Sequence, residues 1–376
     1  MSGLYLHIPF CRRKCPYCDF FSVEDHAALL SGYPGLLRRH LVWAAGHGWR
    51  GPFDTIYFGG GTPSLLSVRT VGSLLGAIDQ RLGLAASAEI TLEANPGTVT
   101  LASLAGYRAA GVNRLSLGLQ SLDPRQLTTL GRLHGREEGW QAVRHARRAG
   151  FANLSLDLIF ALPGQSLAAL DDEVDRYLDI APEHLSCYGL TAEPDTPFHH
   201  RVQAGELRLP DDEFYAEAFL RLHERLTAAG YEHYEIANYA RPGQACRHNL
   251  GYWGRRPYLG IGAGAHSFRE IGWGERWSVP PDLAAFGRAL HQRQEPAERI
   301  EGFDQRGAMS ETLYLGLRTS QGVDDATFRA RFGCSVAEAF PAGVAQLRPW
   351  LALEEGCWRM TVPGWLLHDR LIQAFL

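Results

Sequence analysis

Six short apolar runs, each separated from the next by a helical pattern, limit what this chain can fold into more than any other feature. "LYLHIPF" (4–10), "TIYFGGG" (55–61), "EITLEANP" (89–96), "RLSLGLQS" (114–121), "NLSLDLIFALP" (153–163) and "HLSCYGLTA" (184–192) read as strands. Between them lie amphipathic segments. One is 99–111, with Leu101, Leu104 and Tyr107 on one face; another is the Arg- and Ala-rich 136–150. Gly111 and Gly150 punctuate the helix ends. Strand and helix alternating in this way imply parallel βαβ units. Six such units fall short of the eight that close a (β/α)8 barrel. The expected fold is therefore α/β, a partial (β/α)6 barrel with its chemistry at the C-terminal strand ends.

The pattern changes after residue 200. Residues 211–229 look helical, "YEHYEIANYA" (231–240) looks like one strand, and 241–268 is rich in Gly and aromatics, expected to be accessible and mobile. Residues 300–376 read as helices plus a hairpin around "LALEEGCWRMTV", turning at Gly356: a small α+β, winged-helix-like unit. The expected division is a barrel over 1–200, an extension over 201–299 and the C-terminal unit over 300–376. That last unit counts seven Arg against nine acids, and the whole chain has a net charge of −4. Neither offers the basic excess a nucleic-acid binder uses to displace counterions. No apolar run reaches the roughly 18 residues of a membrane span. The N-terminal run lacks the basic, apolar and cleavage regions of a secretory signal. A cytoplasmic protein with at most peripheral membrane association is expected.

Within "FCRRKCPYCDFF" (10–21), Cys11, Cys15 and Cys18 form C-x3-C-x2-C, and the next cysteine is Cys187. Seven cysteines, an odd number with three clustered, fit a metal site in a reducing compartment better than a disulfide framework. Structural zinc takes four closed ligands, usually in paired knuckles. The local candidates for a fourth are His7, Asp19 and His26, none at knuckle spacing. Three thiolates can instead hold three irons of a [4Fe–4S] cube and leave the fourth iron open. Plain buried or zinc-binding cysteines are the alternative. Cys187, Cys334 and Cys357 read as core. The loop also carries Lys14, the only lysine in the chain, either a survivor of codon bias or a compact ammonium that the loop needs. "GGGTPS" after the second strand is either a tight turn or a place where backbone closely approaches a small charged group.

The stretch "HIPFCRRKCPYCDF" resembles the cluster loop of radical S-adenosylmethionine (SAM) proteins. It is most similar to the branch holding oxygen-independent coproporphyrinogen III oxidase and the HemW-type haem chaperones, and the resemblance runs over essentially the whole chain. It implies that Cys11, Cys15 and Cys18 hold a [4Fe–4S] cluster whose open iron is chelated by the methionyl amine and carboxylate of SAM. It places Tyr5 and Tyr17 against the cofactor, and Gly60, Gly61 and Thr62 at the methionyl amine. Glu93 falls at the ribose hydroxyls or the amine, and Gln120 and Asp157 point polar groups into the barrel mouth. Arg132 matches a partner for the cofactor carboxylate, and Gly189 a position at the adenine.

Within that branch the oxidases carry a fourth cysteine two positions after the third, where this chain has Phe20. They also have a longer N-terminal segment than the ten residues that precede Cys11 here. Further on, His248, Asn249, Tyr252 and Trp253 match H-N-x-x-Y-W, similar to the haem-binding motif of the HemW-type proteins. Histidine is a standard axial haem ligand, and Tyr and Trp offer flat faces to a porphyrin. Cys246 is an alternative ligand, and an aromatic segment packed on the barrel with His248 hydrogen-bonded is the structural alternative. The resemblance implies a haem chaperone that binds haem, a [4Fe–4S] cluster and SAM, and gives haem to apo-haemoproteins. Radical-SAM decarboxylation of coproporphyrinogen III is the competing activity. Whether SAM is cleaved and whether a homodimer forms stay open.

Overall fold

The computed structural model describes residues 2–24 and 27–376; His26 lies outside them. The six expected strands form as β1 (Gly3–Ile8), β2 (Phe53–Gly60), β3 (Leu84–Ala94), β4 (Arg114–Gln120), β5 (Leu154–Phe160) and β6 (His184–Gly189). They pair in parallel, in chain order. The connecting helices include α1 (Ala27–Gly46), α2 (Val68–Leu82), α3 (Leu101–Ala109), α4 (Arg136–Arg148) and α5 (Leu167–Ile180). Side-chain alternation divides each strand between two layers. In β1, Leu4, Leu6 and Ile8 are fully buried in the main apolar core, which includes residues of α1 and α2. Tyr5 and His7 take the other face, where Tyr5 pairs in register with Tyr57 and stacks on it.

Six more strands complete the main sheet: β7 (Glu232–Glu235), β8 (Asn238–Ala240), β9 (Tyr258–Ile261), β10 (His266–Arg269), β11 (Glu275–Ser278) and β12 (Glu298–Gly302). The order is β12-β11-β10-β9-β1-β2-β3-β4-β5-β6-β8-β7, so the barrel stays open. Strand β9 joins β1 in parallel, a seventh parallel strand hidden in the stretch expected to be mobile. Residues 231–240 form a hairpin, not one strand. The turn lacks the usual Gly, Pro or Asn-Gly signal because a buried carboxylate supports it: Glu235 accepts from Ala237 N at 3.0 Å and from the Asn238 amide.

The C-terminal residues form helices around a three-stranded antiparallel sheet of Val323–Asp324, Cys357–Met360 and Leu351–Glu354. The expected hairpin turns at Gly356, whose φ is 79°. This unit is fastened to the sheet through Ser320 N to Tyr234 O at 3.0 Å and through Arg318 beside the buried Glu235 at 3.6 Å. Among the described residues no helix is long and apolar enough to cross a membrane.

Candidate functional site

The loop after β1 runs through all three clustered cysteines. It is held at several points: His7 Nε2 meets Phe21 O at 2.9 Å, Phe198 N donates to Pro16 O at 2.9 Å, and Arg13 reaches Gly131 O at 2.6 Å. Its sulfurs receive hydrogen bonds from other strand ends. Thr62 Oγ1 lies 3.6 Å from Cys11 Sγ, and Arg132 Nη1 lies 3.4 Å from Cys15 Sγ. Among the described residues no three His, Cys, Asp or Glu side chains converge as ligands of a single metal ion would. Three soft sulfur donors on one loop are the donor set of a cube that takes one thiolate per iron.

Beside this loop lies a cavity of about 440 Å³ at the C-terminal strand ends. Tyr17, Gly60, Gly61, Thr62, Glu93 and Gln120 line it, as do Arg132, Asp157 and Gly189. Nine of the ten residues expected to meet the cofactor thus line one space. The tenth, Tyr5, is not in this wall. It faces a second cavity, described below, and its hydroxyl lies 3.2 Å from His7 Nδ1.

Each position has a local cause. Gly60 has φ 109°, and a Cβ there would come within 2.8 Å of the His7 ring. A Cβ on Gly61 would stand 2.7 Å from Phe10 O. Both glycines thus let β2 close against the start of the cysteine loop, a packing reason beside the ligand-approach one. Gln120 ends β4 at φ 66°, a left-handed conformation that is costly for a residue with a side chain and clusters at binding sites. Tyr17 packs against the small apolar cluster of Leu130, Ile159, Leu162, Leu190 and Phe198. Arg132 is largely committed, since it also donates to Gly118 O at 2.8 Å and to Asn95. Its buried Nε has no partner among the described residues.

Two half-buried acids stand in the cavity wall. Glu93 accepts from Tyr57 Oη at 2.8 Å, and Asp157 from Ser116 Oγ at 3.4 Å. Burial pushes the Glu93 carboxyl up to about 7, with the Asp157 charge adding to the shift. Burial likewise pushes Asp157 up to about 6, against the pull of Arg114 and Arg132. Asn95, Tyr57 and Ser116 were missed in the sequence. Asn95 was legible, because it lies two residues beyond Glu93, just past the end of the same strand. It also donates to Thr62 Oγ1 at 3.0 Å, tying the third strand end to the second.

The H-N-x-x-Y-W segment corrects its expectation. It is a helix, α6 (Arg247–Trp253), and no mobile loop. His248 is buried at 2% exposure, with Nδ1 2.8 Å from Thr55 Oγ1 and Nε2 2.7 Å from Tyr252 Oη. Both ring nitrogens are therefore engaged. The cause is the helix N-terminus, which is anchored on the buried Glu89: His248 N donates to Oε1 at 3.1 Å and Arg247 N to Oε2 at 3.2 Å. Cys246 is fully buried beside the same carboxylate. Asn249 is half-buried, whereas Tyr252 and Trp253 line the second cavity.

Residues 5–176 match the model of the radical SAM superfamily, and residues 303–367 match the HemN C-terminal domain. The chain is 40% identical over 331 residues to the heme chaperone HemW of Synechocystis, covering 86% of this chain and 79% of that protein. It is 33% identical to the Bacillus subtilis heme chaperone HemW, covering 100% of this chain and 99% of the other. The chain belongs to the HemW family. The Escherichia coli HemW is 44% identical, over 70% of this chain and 69% of that one. The fold of this HemW-family chain is also that of the E. coli coproporphyrinogen III oxidase HemN, with a TM-score of 0.85 at 22% identity, covering 100% of this chain and 90% of that one.

Proposed function

We propose that the chain is a haem chaperone, which holds a [4Fe–4S] cluster and SAM in the cysteine cavity, binds haem at a second site and passes it to apo-haemoproteins. The observation that carries this reading is the presence of two cavities with different chemistry. One gathers the three thiols and the polar strand ends, and the other has Tyr252 and Trp253 of the H-N-x-x-Y-W segment in its wall. The names of the HemW relatives support it, as does Phe20 where the oxidases carry a fourth cysteine. On this reading the chain divides near residues 200 and 300, the middle part supplying the strands that extend the barrel sheet towards the second cavity.

Cys11, Cys15 and Cys18 would hold the cluster, and Thr62 and Arg132 would stabilise its sulfur charge. Glu93 and Asp157 would face the cationic parts of SAM, with Gly60 and Gly61 beside the methionyl amine and Tyr17 and Gly189 beside the adenine. Gln120 and the free Nε of Arg132 would complete the polar wall. When bound, cluster and SAM supply one-electron chemistry. The reading is tested with the full chain reconstituted anaerobically. It should bind haem stoichiometrically and transfer it to an apo-haemoprotein, and it should not convert coproporphyrinogen III to protoporphyrinogen IX. Many turnovers of that conversion, without haem transfer, would replace the reading with the oxidase.

SAM binding should strengthen as pH rises. Both acids have folded-state values raised above their unfolded ones. The empty protein is therefore most stable with them protonated, and loses that stability as pH climbs through about 6 to 7. A sulfonium and an amine bind the ionised forms. Calorimetric titration of SAM should show affinity roughly tenfold tighter at about pH 8 than at about pH 5. Glu93→Gln should flatten most of that slope; an unchanged slope would remove Glu93 from the cofactor.

A further inference from the structure

Asn95 follows the end of β3 and stands half-buried in the wall of the cysteine cavity. None of the cofactor contacts proposed above uses it. Its carboxamide is spent on two neighbours instead. Nδ2 donates to Thr62 Oγ1 at 3.0 Å, and Oδ1 accepts from Arg132 Nη2. Each neighbour in turn faces a different thiol of the loop. Thr62 Oγ1 donates to Cys11 Sγ at 3.6 Å, and Arg132 Nη1 to Cys15 Sγ at 3.4 Å. One side chain from the third strand end thus stands behind donors to two of the three sulfurs.

The direction of each bond is fixed by what each group can do. A guanidinium only donates, so the Asn95 oxygen must face Arg132 and the NH2 must face Thr62. The Thr62 hydroxyl accepts there and is left with one proton to give, and Cys11 Sγ is the acceptor it meets. Thr62 is buried, so bulk water does not compete for that proton. Arg132 Nη2 is held between Asn95 and Gly118 O, 2.8 Å away, which leaves Nη1 turned to Cys15.

The surroundings keep Asn95 in place. Its carbonyl accepts from Thr98 N at 2.9 Å and from Thr98 Oγ1 at 2.7 Å. The Thr98 hydroxyl also meets Ser64 Oγ at 2.6 Å, in the segment that carries Thr62. Arg12, next to Cys11, donates to Gly97 O at 2.9 Å and ties the cysteine loop to the same turn. A Cβ on Gly118 would crowd Asn95 Oδ1 at 3.1 Å and Arg132 Nη2 at 3.3 Å, so the bare backbone of β4 makes room for the pair.

Hydrogen bonds to the sulfurs are one of the levers that set the reduction potential of an iron–sulfur cluster. They favour the reduced state, which has the greater negative charge. We propose that Asn95 is a positioning residue for the cluster, aiming the Thr62 hydroxyl at Cys11 and the Arg132 guanidinium at Cys15 and thereby raising the reduction potential. This rests on the reading in which three thiolates hold a [4Fe–4S] cube.

The test is a potentiometric titration of the reconstituted full chain, with dithionite as the electron donor, read by the electron paramagnetic resonance of the reduced cluster. Asn95→Ala should keep the iron and sulfide content of the unaltered chain. It should lower the equilibrium constant for reduction about tenfold, a fall of about 59 mV for one electron. Thr62→Val, which keeps the size of the side chain but loses the hydroxyl, should shift the potential the same way. In the Thr62→Val background, Asn95→Ala should shift it less than it does alone, because one of its two routes is gone. An unchanged potential in Asn95→Ala at full cluster content overturns the role of Asn95 and leaves the cluster standing. Equal shifts in the two backgrounds overturn the route through Thr62. Where Asn95→Ala fails to load with cluster, an unchanged potential in Thr62→Val overturns the proposal instead. Absence of iron uptake in the unaltered chain overturns the cluster reading itself.

Discussion

Replacing Cys15 by alanine should leave a folded chain that takes up almost no iron–sulfur cluster. A cube bound by three thiolates has no protein ligand in reserve, so losing one opens a second iron to solvent. The fold does not depend on that thiol. The cysteine loop is tied down independently, through His7 to Phe21 O and through Phe198 N to Pro16 O. Cys15 itself is only half-buried. After anaerobic reconstitution, iron and sulfide should fall to near background in the variant, with the far-ultraviolet circular dichroism unchanged. In the unaltered chain, Mössbauer spectra should show a cube with one distinct iron whose signal moves when SAM is added. Full cluster content in Cys15→Ala, or stoichiometric zinc with no iron uptake in the unaltered chain, would refute the three-thiolate assignment.

The second large effect is expected far from the thiols. Glu311 is buried and is the carboxylate shared by Arg255 and Arg276. Arg255 has 2% of its side chain exposed, and it is also packed over the rings of Phe268 and Phe303. Glu311→Ala leaves that guanidinium buried without its counter-charge. Removing one partner of a buried pair costs about 3–5 kcal/mol. The Arg276 half adds little, because that side chain is 30% exposed and water screens it. Urea unfolding should show the loss as a lower midpoint at constant slope. A change below about 1 kcal/mol would mean that water already solvates Arg255. The double variant Arg255→Met, Glu311→Leu should recover much of the stability, since an apolar pair of similar volume often equals a buried ion pair.

The barrel was legible because its strands are buried on both faces and its helices carry clear periodicity. Leu4, Leu6 and Ile8, or Leu154, Leu156 and Leu158, mark strands, and the helical patterns between such runs make the pairing parallel. The thiol loop and the strand-end residues followed from that frame, since one face of each strand must end at the same mouth. What stayed hidden depends on contacts between distant residues. The Ile236–Ala237 turn is supported by a buried carboxylate rather than by turn residues. Strand β9 was masked by glycines that serve packing, Gly260 against His266 O, Gly262 against the Tyr33 hydroxyl and Gly264 against Phe21, and a single sequence does not separate that use from mobility. The hydrogen bonds of His248 stayed hidden because neither Thr55 nor Glu89, its partners from neighbouring strands, is near it in sequence.

Asp19 and Phe20 stand in the walls of both cavities, and Phe20 is 65% exposed. On the proposed reading, the segment that carries the last cysteine would be a thin partition with a binding site on either side. Whatever stiffens a partition from one side changes the free energy of filling the other. By thermodynamic reciprocity, the two occupants must alter each other's affinity by the same factor. A tenfold effect needs only about 1.4 kcal/mol, the scale of one or two repacked side chains. A haem chaperone with these two cavities would sense whether its cluster is in place before it grips or releases its cargo, with no moving domain and no signal passing through the core.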